Sequence, residues 1–167
     1  MIYRIRIILD TKEDIIRDIE IENNSTFKDL HLEILKSFQF DGNEMASFYL
    51  SNDNWIQGKE ISLSSFQEED KDELIMENCS LDSIIDENQK KFIYIYDFLN
   101  LWTFFIEIFE INSIIKDEKY PKLIFSLGKI PEKAPDKNFE EIKDNDFEDD
   151  FEDDFEDDFE DNYDDYN

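Results

Sequence analysis

Apolar and polar positions alternate over the first twenty residues of the chain. The run IYRIRIIL places its tyrosine, leucine and two of its isoleucines on one side and Arg4 and Arg6 on the other. The run IIRDIEI repeats this two-residue period, which is typical of half-buried strands. The positions expected on the buried face are Tyr3, Ile5, Ile7 and Leu9 in the first run and Ile15, Arg17, Ile19 and Ile21 in the second. The two runs therefore predict a paired β-hairpin.

A period of three to four residues follows the hairpin. Thr26 and Asp29 stand at the spacing of a capping box, which marks the start of a helix. The apolar positions at helical intervals are Phe27, Leu30, His31, Ile34, Leu35 and Phe38. The pattern predicts one amphipathic helix that stops at Asp41-Gly42. We interpret His31, on the apolar face, as a packed histidine rather than a catalytic one, because the chain has no second histidine.

Strand-like runs occupy the middle of the chain. Short runs predict strands at 47–50 and near 60–63, and an acidic loop at 67–73 interrupts the pattern. Ser80 can cap a short helix, and the runs at 91–96 and 102–111 are apolar on both faces, as in central strands of a helix-covered sheet. We predict an α+β, β-grasp-like domain: an N-terminal β-hairpin, an amphipathic helix and a mixed sheet completed by two long strands.

The C-terminal segment has a different composition. Residues 144–167 contain 15 acidic and no basic residues, and the unit FEDD recurs along them. The aromatic positions, four apart, are Phe147, Phe151, Phe155, Phe159 and Tyr163. Because like charges at this spacing repel one another, we predict a disordered acidic tail. The expected organisation is a domain at 1–130, a linker at 131–143 and the tail at 144–167.

The charge of the chain limits its partners. With 45 acidic and 17 basic residues the formal charge is −28, so the surface should repel nucleic acid and anionic membranes. We therefore expect no direct contact with nucleic acid or membrane, and a basic protein partner that the tail aromatic residues contact. The chain has a single cysteine, Cys79, and its N-terminal apolar run is too short and too charged for a signal peptide. Together these features predict a cytoplasmic location. The oligomeric state stays open.

The residues that carry cofactor chemistry are sparse. The three glycines are isolated, so they cannot form a phosphate-binding loop. His31 and Cys79 are 48 residues apart and do not form a zinc ligand set, and the FEDD units lack the spacing and the turn glycine of a calcium loop. We therefore expect neither a cofactor nor a metal.

One polar break separates the two longest apolar runs. Asp97 and Asn100 lie there, with Trp102 as a possible stacking wall, and they are the candidates for a ligand or partner contact. The alternative is a capped turn with Trp102 in the core. Trp55, after three polar residues, is a further candidate contact, with half-buried packing as its alternative.

Four segments in fixed order carry a family resemblance. YRIRIIL, TFKDLHLEILKSF, KFIYIYDFLNLWTFFIEIFEI and EKYPKLIFSLGKIPE resemble the Ri-plasmid open-reading-frame-three-like family, which has no settled activity. Some of its members carry a TnpR label as passengers of insertion elements. This chain has Leu99 and Asn100 where the family block has glycine and aspartate, and Phe104 where it has histidine. A polar site of the family is therefore expected to be degenerate here.

The favoured hypothesis is a non-catalytic protein-interaction domain whose acidic tail contacts a basic partner. One alternative is an enzyme or small-ligand binder with a degenerate polar site near Asp97, Asn100 and Trp102. Another is a mobile-element accessory protein that acts through a DNA-binding partner. A resolvase activity of its own is not supported, because all three arginines fall in the first two strands.

Overall fold

A computed structural model describes residues 1–65 and 72–136 of the chain. The predicted acidic tail with its aromatic residues, and most of the predicted loop at 67–73, lie outside these residues. The elements in chain order are β1 (Ile2–Leu9), β2 (Ile16–Glu22), α1 (Phe27–Ser37), β3 (Ala46–Leu50), β4 (Glu60–Ser62), β5 (Leu74–Ile75), a 3-10 turn (Met76–Asn78), α2 (Leu81–Ile84), β6 (Lys91–Tyr96), β7 (Trp102–Asn112) and β8 (Lys122–Leu127).

The strands form one eight-stranded mixed sheet in the order β5-β4-β3-β6-β7-β1-β2-β8. The pairing is antiparallel except between β4 and β5. The predicted α+β class is confirmed. The hairpin β1–β2 and the helix α1 are present, and the long strands β6 and β7 lie in the centre of the sheet. Among the described residues, no helix is long and apolar enough to cross a membrane.

The helix α1 packs its apolar side on one face of the sheet. The Thr26 Oγ1 accepts a hydrogen bond from Asp29 N at 3.1 Å, and the Asp29 carboxylate accepts one from Thr26 N at 2.9 Å, so the predicted capping box is present. The helix ends at Ser37, before the predicted stop. Gln39 has a φ of 59°, Gln39 N donates to Lys36 O and Phe40 N donates to Leu35 O. This is a Schellman motif, with glutamine at the position that usually holds glycine.

The core between α1 and the sheet is aromatic and closely packed. The ring of Phe27 contacts those of Phe48 and Phe92, with centroids 5.2 and 5.5 Å apart. His31 is buried, and its Nδ1 lies 2.7 Å from Tyr94 Oη. Burial, with a smaller contribution from Lys28, lowers the pKa of His31 to about 4. His31 is thus a packed core residue, as its position on the helix predicted.

Charged side chains cover part of the opposite face of the sheet. Asp18 is fully buried and accepts hydrogen bonds from Arg4 at 3.1 Å and from Arg6 at 2.9 and 3.0 Å. Both guanidinium groups lie over the ring of Phe109, at 4.8 and 4.7 Å from its centroid. The two arginines are therefore held by structural contacts within the sheet.

Strand β8 extends the sheet beyond β2 and was not predicted. The Arg17 guanidinium donates to Leu127 O at 2.8 Å and to Gly128 O at 3.0 Å, which ties the end of β8 to β2. Gly128 has a φ of +83°, and a Cβ there would lie 2.4 Å from Asp14 O. Only glycine fits this close approach. The chain then returns toward the end of α1, where Ala134 packs against the core.

Candidate functional site at the end of the central strands

A cavity of about 450 Å³ opens where β6 ends and β7 begins. Four aromatic residues and four carboxylates account for most of its lining. The aromatic residues are Phe38, Phe40, Tyr96 and Trp102, and the carboxylates belong to Asp41, Glu44, Asp97 and Glu132. We call this cavity the acidic aromatic pocket.

The end of α1 positions one aromatic wall of the pocket. Because the Schellman motif turns the chain at Gln39, Phe40 leaves the helix toward the sheet. Its ring stacks on Tyr96 with centroids 4.6 Å apart and an interplanar angle of 10°. It meets Trp102 at 5.0 Å with an angle of 59°. The wall therefore joins residues from a helix exit and from two neighbouring strands.

The carboxylates of the pocket come from separate parts of the chain. Asp41 and Glu44 follow α1, Asp97 follows β6, and Glu132 lies in the segment after β8. No lysine or arginine lines the pocket, and no ion pair within the described residues includes any of the four carboxylates. The negative charge of this pocket is therefore not balanced from within the described part of the chain.

Asp41 and Tyr96 are coupled by a hydrogen bond. Tyr96 Oη donates to Asp41 Oδ1 at 3.0 Å and accepts from Gly42 N at 3.2 Å. The backbone N–H of Asn43, then the Tyr96 hydroxyl, lower the pKa of Asp41. Burial, followed by the hydrogen bond to Asp41, raises the pKa of Tyr96. At neutral pH the pair is a carboxylate beside a protonated phenol.

Asp97 is buried and has a left-handed backbone, with a φ of 64°. Its Oδ1 accepts hydrogen bonds from Leu99 N at 3.1 Å and Asn100 N at 3.3 Å, and its Oδ2 accepts one from Asn100 Nδ2 at 2.6 Å. Burial acts to raise the pKa of Asp97, but the hydrogen bonds from Asn100 and Leu99 outweigh it and lower the pKa. Asp97 therefore stays ionised while it caps the turn.

The structure separates the roles of the predicted site residues. Asp97 and Trp102 line the pocket, whereas the side chain of Asn100 supports Asp97. Trp102 is 7% exposed, so it belongs both to the core and to the pocket wall. The two alternatives for this break, a polar site and a capped turn, are thus compatible. A ligand or partner contact at these residues stays a prediction.

Trp55 lies apart from this group, near the start of β6. Lys91 Nζ is 5.1 Å from the centroid of its ring, and Phe105 packs against it at 4.9 Å. Lys91 also forms an ion pair with Asp53 at 3.2 Å and lines a second cavity of about 330 Å³. We call this second cavity the polar pocket. Its other charged residues are Glu87, Lys90 and Glu107.

Several lining residues were not predicted. Phe40, Asp41 and Glu44 come from the loop after α1 and Glu132 comes from the segment after β8, and no short-range spacing links either segment to Asp97 and Trp102. Tyr96 is the last residue of the apolar run before the polar break, so its position next to the candidate carboxylate of Asp97 was the one available signal.

The acidic aromatic pocket is suited to an organic cation. Aromatic faces attract ammonium and guanidinium groups, and carboxylates accept charge-assisted hydrogen bonds from them. Within residues 1–65 and 72–136, no three or more histidine, cysteine, aspartate or glutamate side chains are grouped as ligands for a metal ion. A lysine or arginine side chain, or a small amine, is the chemistry that fits this lining.

Comparisons with known proteins agree with the fold. A family model described as plasmid pRiA4b ORF-3-like protein matches residues 1–136. A crystal structure of a protein of unknown function, MM3350 from Methanosarcina mazei Go1, matches with a TM-score of 0.64 and 20% identity. The match covers 75% of this chain and 68% of that chain, and at this identity it concerns the fold alone. No curated protein sequence matches this chain at a significant level.

Proposed function

This chain belongs to the plasmid pRiA4b ORF-3-like protein family, and we propose that it is a non-catalytic interaction domain that binds a basic protein partner. In this proposal the acidic aromatic pocket receives a lysine or arginine side chain of the partner. The acidic tail at 144–167 contacts other basic residues of the same partner. The proposed location of the complex is the cytoplasm, which is favoured by the single cysteine, Cys79, a free and buried thiol.

The observation that carries this proposal is the unbalanced charge of the pocket. Four carboxylates surround aromatic walls, and no basic residue lines the same cavity. A cation over a tyrosine or tryptophan ring contributes about 0.5–2 kcal/mol, and each partly exposed ion pair about 0.2–1 kcal/mol. One side chain in the pocket would therefore bind weakly, with a dissociation constant on the order of 1 mM.

In this proposal the acidic tail adds binding affinity that the pocket alone does not provide. Its 15 acidic residues, with no basic residue among them, would attract a basic surface over a long range and speed its encounter. Two weak contacts on one chain also strengthen each other, because the second contact forms at a high effective concentration. The pocket then provides selectivity, and the tail provides affinity that depends on salt.

A small cationic ligand is the second candidate. The volume of about 450 Å³ lies within the usual range for small-molecule sites, about 300–1,000 Å³. A degenerate enzyme site at Asp97 and Trp102 would use the same cavity. The proposal that the chain is an accessory of a mobile element concerns the partner, a basic DNA-binding protein, rather than a different site.

The test is a titration of the full-length chain with Nα-acetyl-lysine methylamide. Binding is monitored by the NMR signals of the Trp102 and Trp55 indole N–H groups. The neutral control ligand carries an acetyl group on the lysine Nζ. We compare the wild type with Glu44→Gln/Glu132→Gln, which removes two of the four carboxylates of the acidic aromatic pocket. The matched control, Glu87→Gln/Glu107→Gln, makes the same change of net charge in the polar pocket.

We expect the Trp102 signal to shift with the cationic ligand and not with the acetylated one. The pocket variant should bind roughly tenfold more weakly, because it loses two ion pairs of at most about 1 kcal/mol each. The control variant should stay within about twofold of the wild type. Equal weakening in both variants would reduce the effect to net charge, and absence of a Trp102 shift would remove the pocket from the proposal.

A further inference from the structure

Strand β8 forms one edge of the sheet. It pairs with β2 on one side, and none of the described residues pairs with its other side. The opposite edge of the sheet is β5, which is only two residues long. A strand this short offers few free backbone groups, whereas β8 offers a row of them along six residues. The two edges of the sheet therefore differ in their capacity to accept a further strand.

Three of the four exposed side chains of β8 are apolar, and the fourth belongs to Ser126. Leu123, Phe125 and Leu127 are 42%, 39% and 45% exposed. Leu123 lies opposite Ile19 and Phe125 opposite Asp18, with a register shift between them. Because neighbouring residues of β2 point to opposite faces, apolar side chains border both faces of this edge. Native edge strands are usually protected by charged residues or proline, and β8 has neither between residues 123 and 127.

The chain segment that contains β8 has more lysines than acidic residues, in contrast to the chain as a whole. Residues 119–131 include three lysines and no acidic residue, while the whole chain has a formal charge of −28. Lys122 forms ion pairs with Glu118 at 2.8 Å and Glu20 at 3.6 Å. Lys119 and Lys129 are exposed and take part in no ion pair within the described residues. Two positive charges therefore flank the apolar edge without a partner in this part of the chain.

We propose that the free edge of β8 binds an extended acidic peptide segment of a partner protein by strand addition. The backbone groups of β8 would form the hydrogen bonds, as in other domains that extend a sheet with a peptide. Alternate apolar side chains of the peptide would cover Phe125 and Leu127, and its acidic side chains would meet Lys119 and Lys129. A second copy of β8 fits less well, because its lysines would approach those of the first copy. This surface is separate from the acidic aromatic pocket and does not depend on the function proposed for it.

The experiment uses the full-length chain labelled with 15N and two synthetic ten-residue peptides. One alternates glutamate with valine, and the other alternates lysine with valine. Amide hydrogen exchange of residues 122–127 is measured with and without each peptide. We expect the glutamate peptide at saturation to slow exchange of the free-edge amides at least fivefold, and the lysine peptide to have no effect on them.

Exposed charge variants test the basic flanks without disturbing the core. Lys119→Glu/Lys129→Glu should weaken binding of the glutamate peptide at least tenfold. Lys36→Glu/Lys59→Glu makes the same change of net charge at two other exposed lysines, and it should bind within about twofold of the wild type. The amide spectra of both variants, compared with that of the wild type, report whether the fold is intact.

Three results would overturn the proposal. The first is no change of β8 exchange with the glutamate peptide. The second is that β8 amides already exchange slowly without peptide and exchange more slowly still at higher protein concentration. This result would mean that the edge pairs with a second copy of the chain. The third is slow exchange without peptide that is independent of concentration, which would mean that the chain itself closes the edge.

Discussion

The two tryptophans lie near opposite ends of β6 and differ in how their surroundings are charged. Trp55 has a lysine of the same chain over its ring, and that lysine, Lys91, also pairs with Asp53. Trp102 stands among four carboxylates in a pocket that no lysine or arginine lines. Both sites combine an indole with acidic residues. Of the two sites, only that at Trp102 has no lysine or arginine among its described lining residues.

This difference is the basis on which we propose a binding site at Trp102 and a structural role for the surroundings of Trp55. Acidic residues are so frequent here that a cluster of them carries little information. What distinguishes the acidic aromatic pocket is that no lysine or arginine lines it and no ion pair within the described residues includes its carboxylates, while hydrogen bonds lower the pKa values of Asp41 and Asp97. In the polar pocket one carboxylate, that of Asp53, forms an ion pair with Lys91, which contributes little to stability but holds a cation beside Trp55.

The largest expected effect is a difference in stability: replacing Trp102 should lower the free energy of unfolding much more than replacing Trp55, because Trp102 is more deeply packed. Trp102 is 7% exposed and contacts Phe40, so Trp102→Ala should lower the free energy of unfolding by about 3–5 kcal/mol. Trp55 is only half-buried, and Trp55→Ala should cost about 1 kcal/mol. Urea unfolding of the two full-length variants measures both values. Similar losses would mean that Trp102 is not the structural wall of its pocket.

The next effect is a pH dependence of the free energy of unfolding. It sets the pH range in which the chain is stable enough for the two pockets to be compared. The pKa of His31 is about 4 in the folded chain, against an ordinary value of 6.5. Because the unfolded chain binds the proton more tightly, stability is full above pH 6.5 and falls as the pH decreases from 6.5 to 4. The loss amounts to at most about 3 kcal/mol. Unfolding experiments at pH 7 and pH 4.5 should show it.

The control for this prediction is His31→Gln, which keeps a polar group near Tyr94 Oη but cannot titrate. We expect this variant to be less stable at pH 7 and to lose less stability on acidification. The pKa values of Asp41 and Asp97 are lowered, so both stay ionised through the same interval. An equal acid loss in the wild type and the variant would assign the effect to groups other than His31.

The sequence predicted those parts of the molecule whose signals are local. The hairpin follows from two-residue alternation, the start of α1 from Thr26 and Asp29, and β6 and β7 from continuous apolar runs. The end of α1 was placed too late, because Gln39 occupies the left-handed position that glycine usually marks. Strand β8 was missed because most of it is exposed, so it lacks a buried face.

The pocket could be predicted only in part for a related reason. Asp97 and Trp102 fall in one polar break between two strong patterns, so they could be singled out. Phe40 and Glu132 reach the pocket through the helix exit and through the segment after β8. Their approach is a consequence of tertiary structure, and no spacing along the chain encodes it.

A smaller effect concerns how Asp97 is kept ionised. The short hydrogen bond from Asn100 Nδ2, at 2.6 Å, contributes to the low pKa of Asp97. Asn100→Ala should raise this pKa and lower the free energy of unfolding by about 1.5–3 kcal/mol, the usual contribution of a hydrogen bond to a charged group. Carboxyl 13C NMR titration of the variant measures the pKa. An unchanged value would mean that the backbone N–H groups of the turn are sufficient to hold the carboxylate.

The smallest expected effect is a gain of binding that would remove the difference between the two sites. In Lys91→Met the side chain keeps its apolar length, but the cation over Trp55 and the partner of Asp53 are lost. The polar pocket then keeps only Lys90 as a cation, and Asp53 joins Glu87 and Glu107 as a carboxylate without an ion pair beside an indole. If the absence of a cation over the indole is what makes such a pocket accept an amine, Nα-acetyl-lysine methylamide should now shift the Trp55 indole N–H. The gain should be modest, about 1 kcal/mol or roughly fivefold in affinity, because Asp53 is 95% exposed and water screens its charge.

Lys90→Met, which removes a neighbouring lysine of the polar pocket, is the control and should leave Trp55 unresponsive. A response at Trp102 alone in both variants would show that the shape of the pocket, rather than its unbalanced charge, selects the cation.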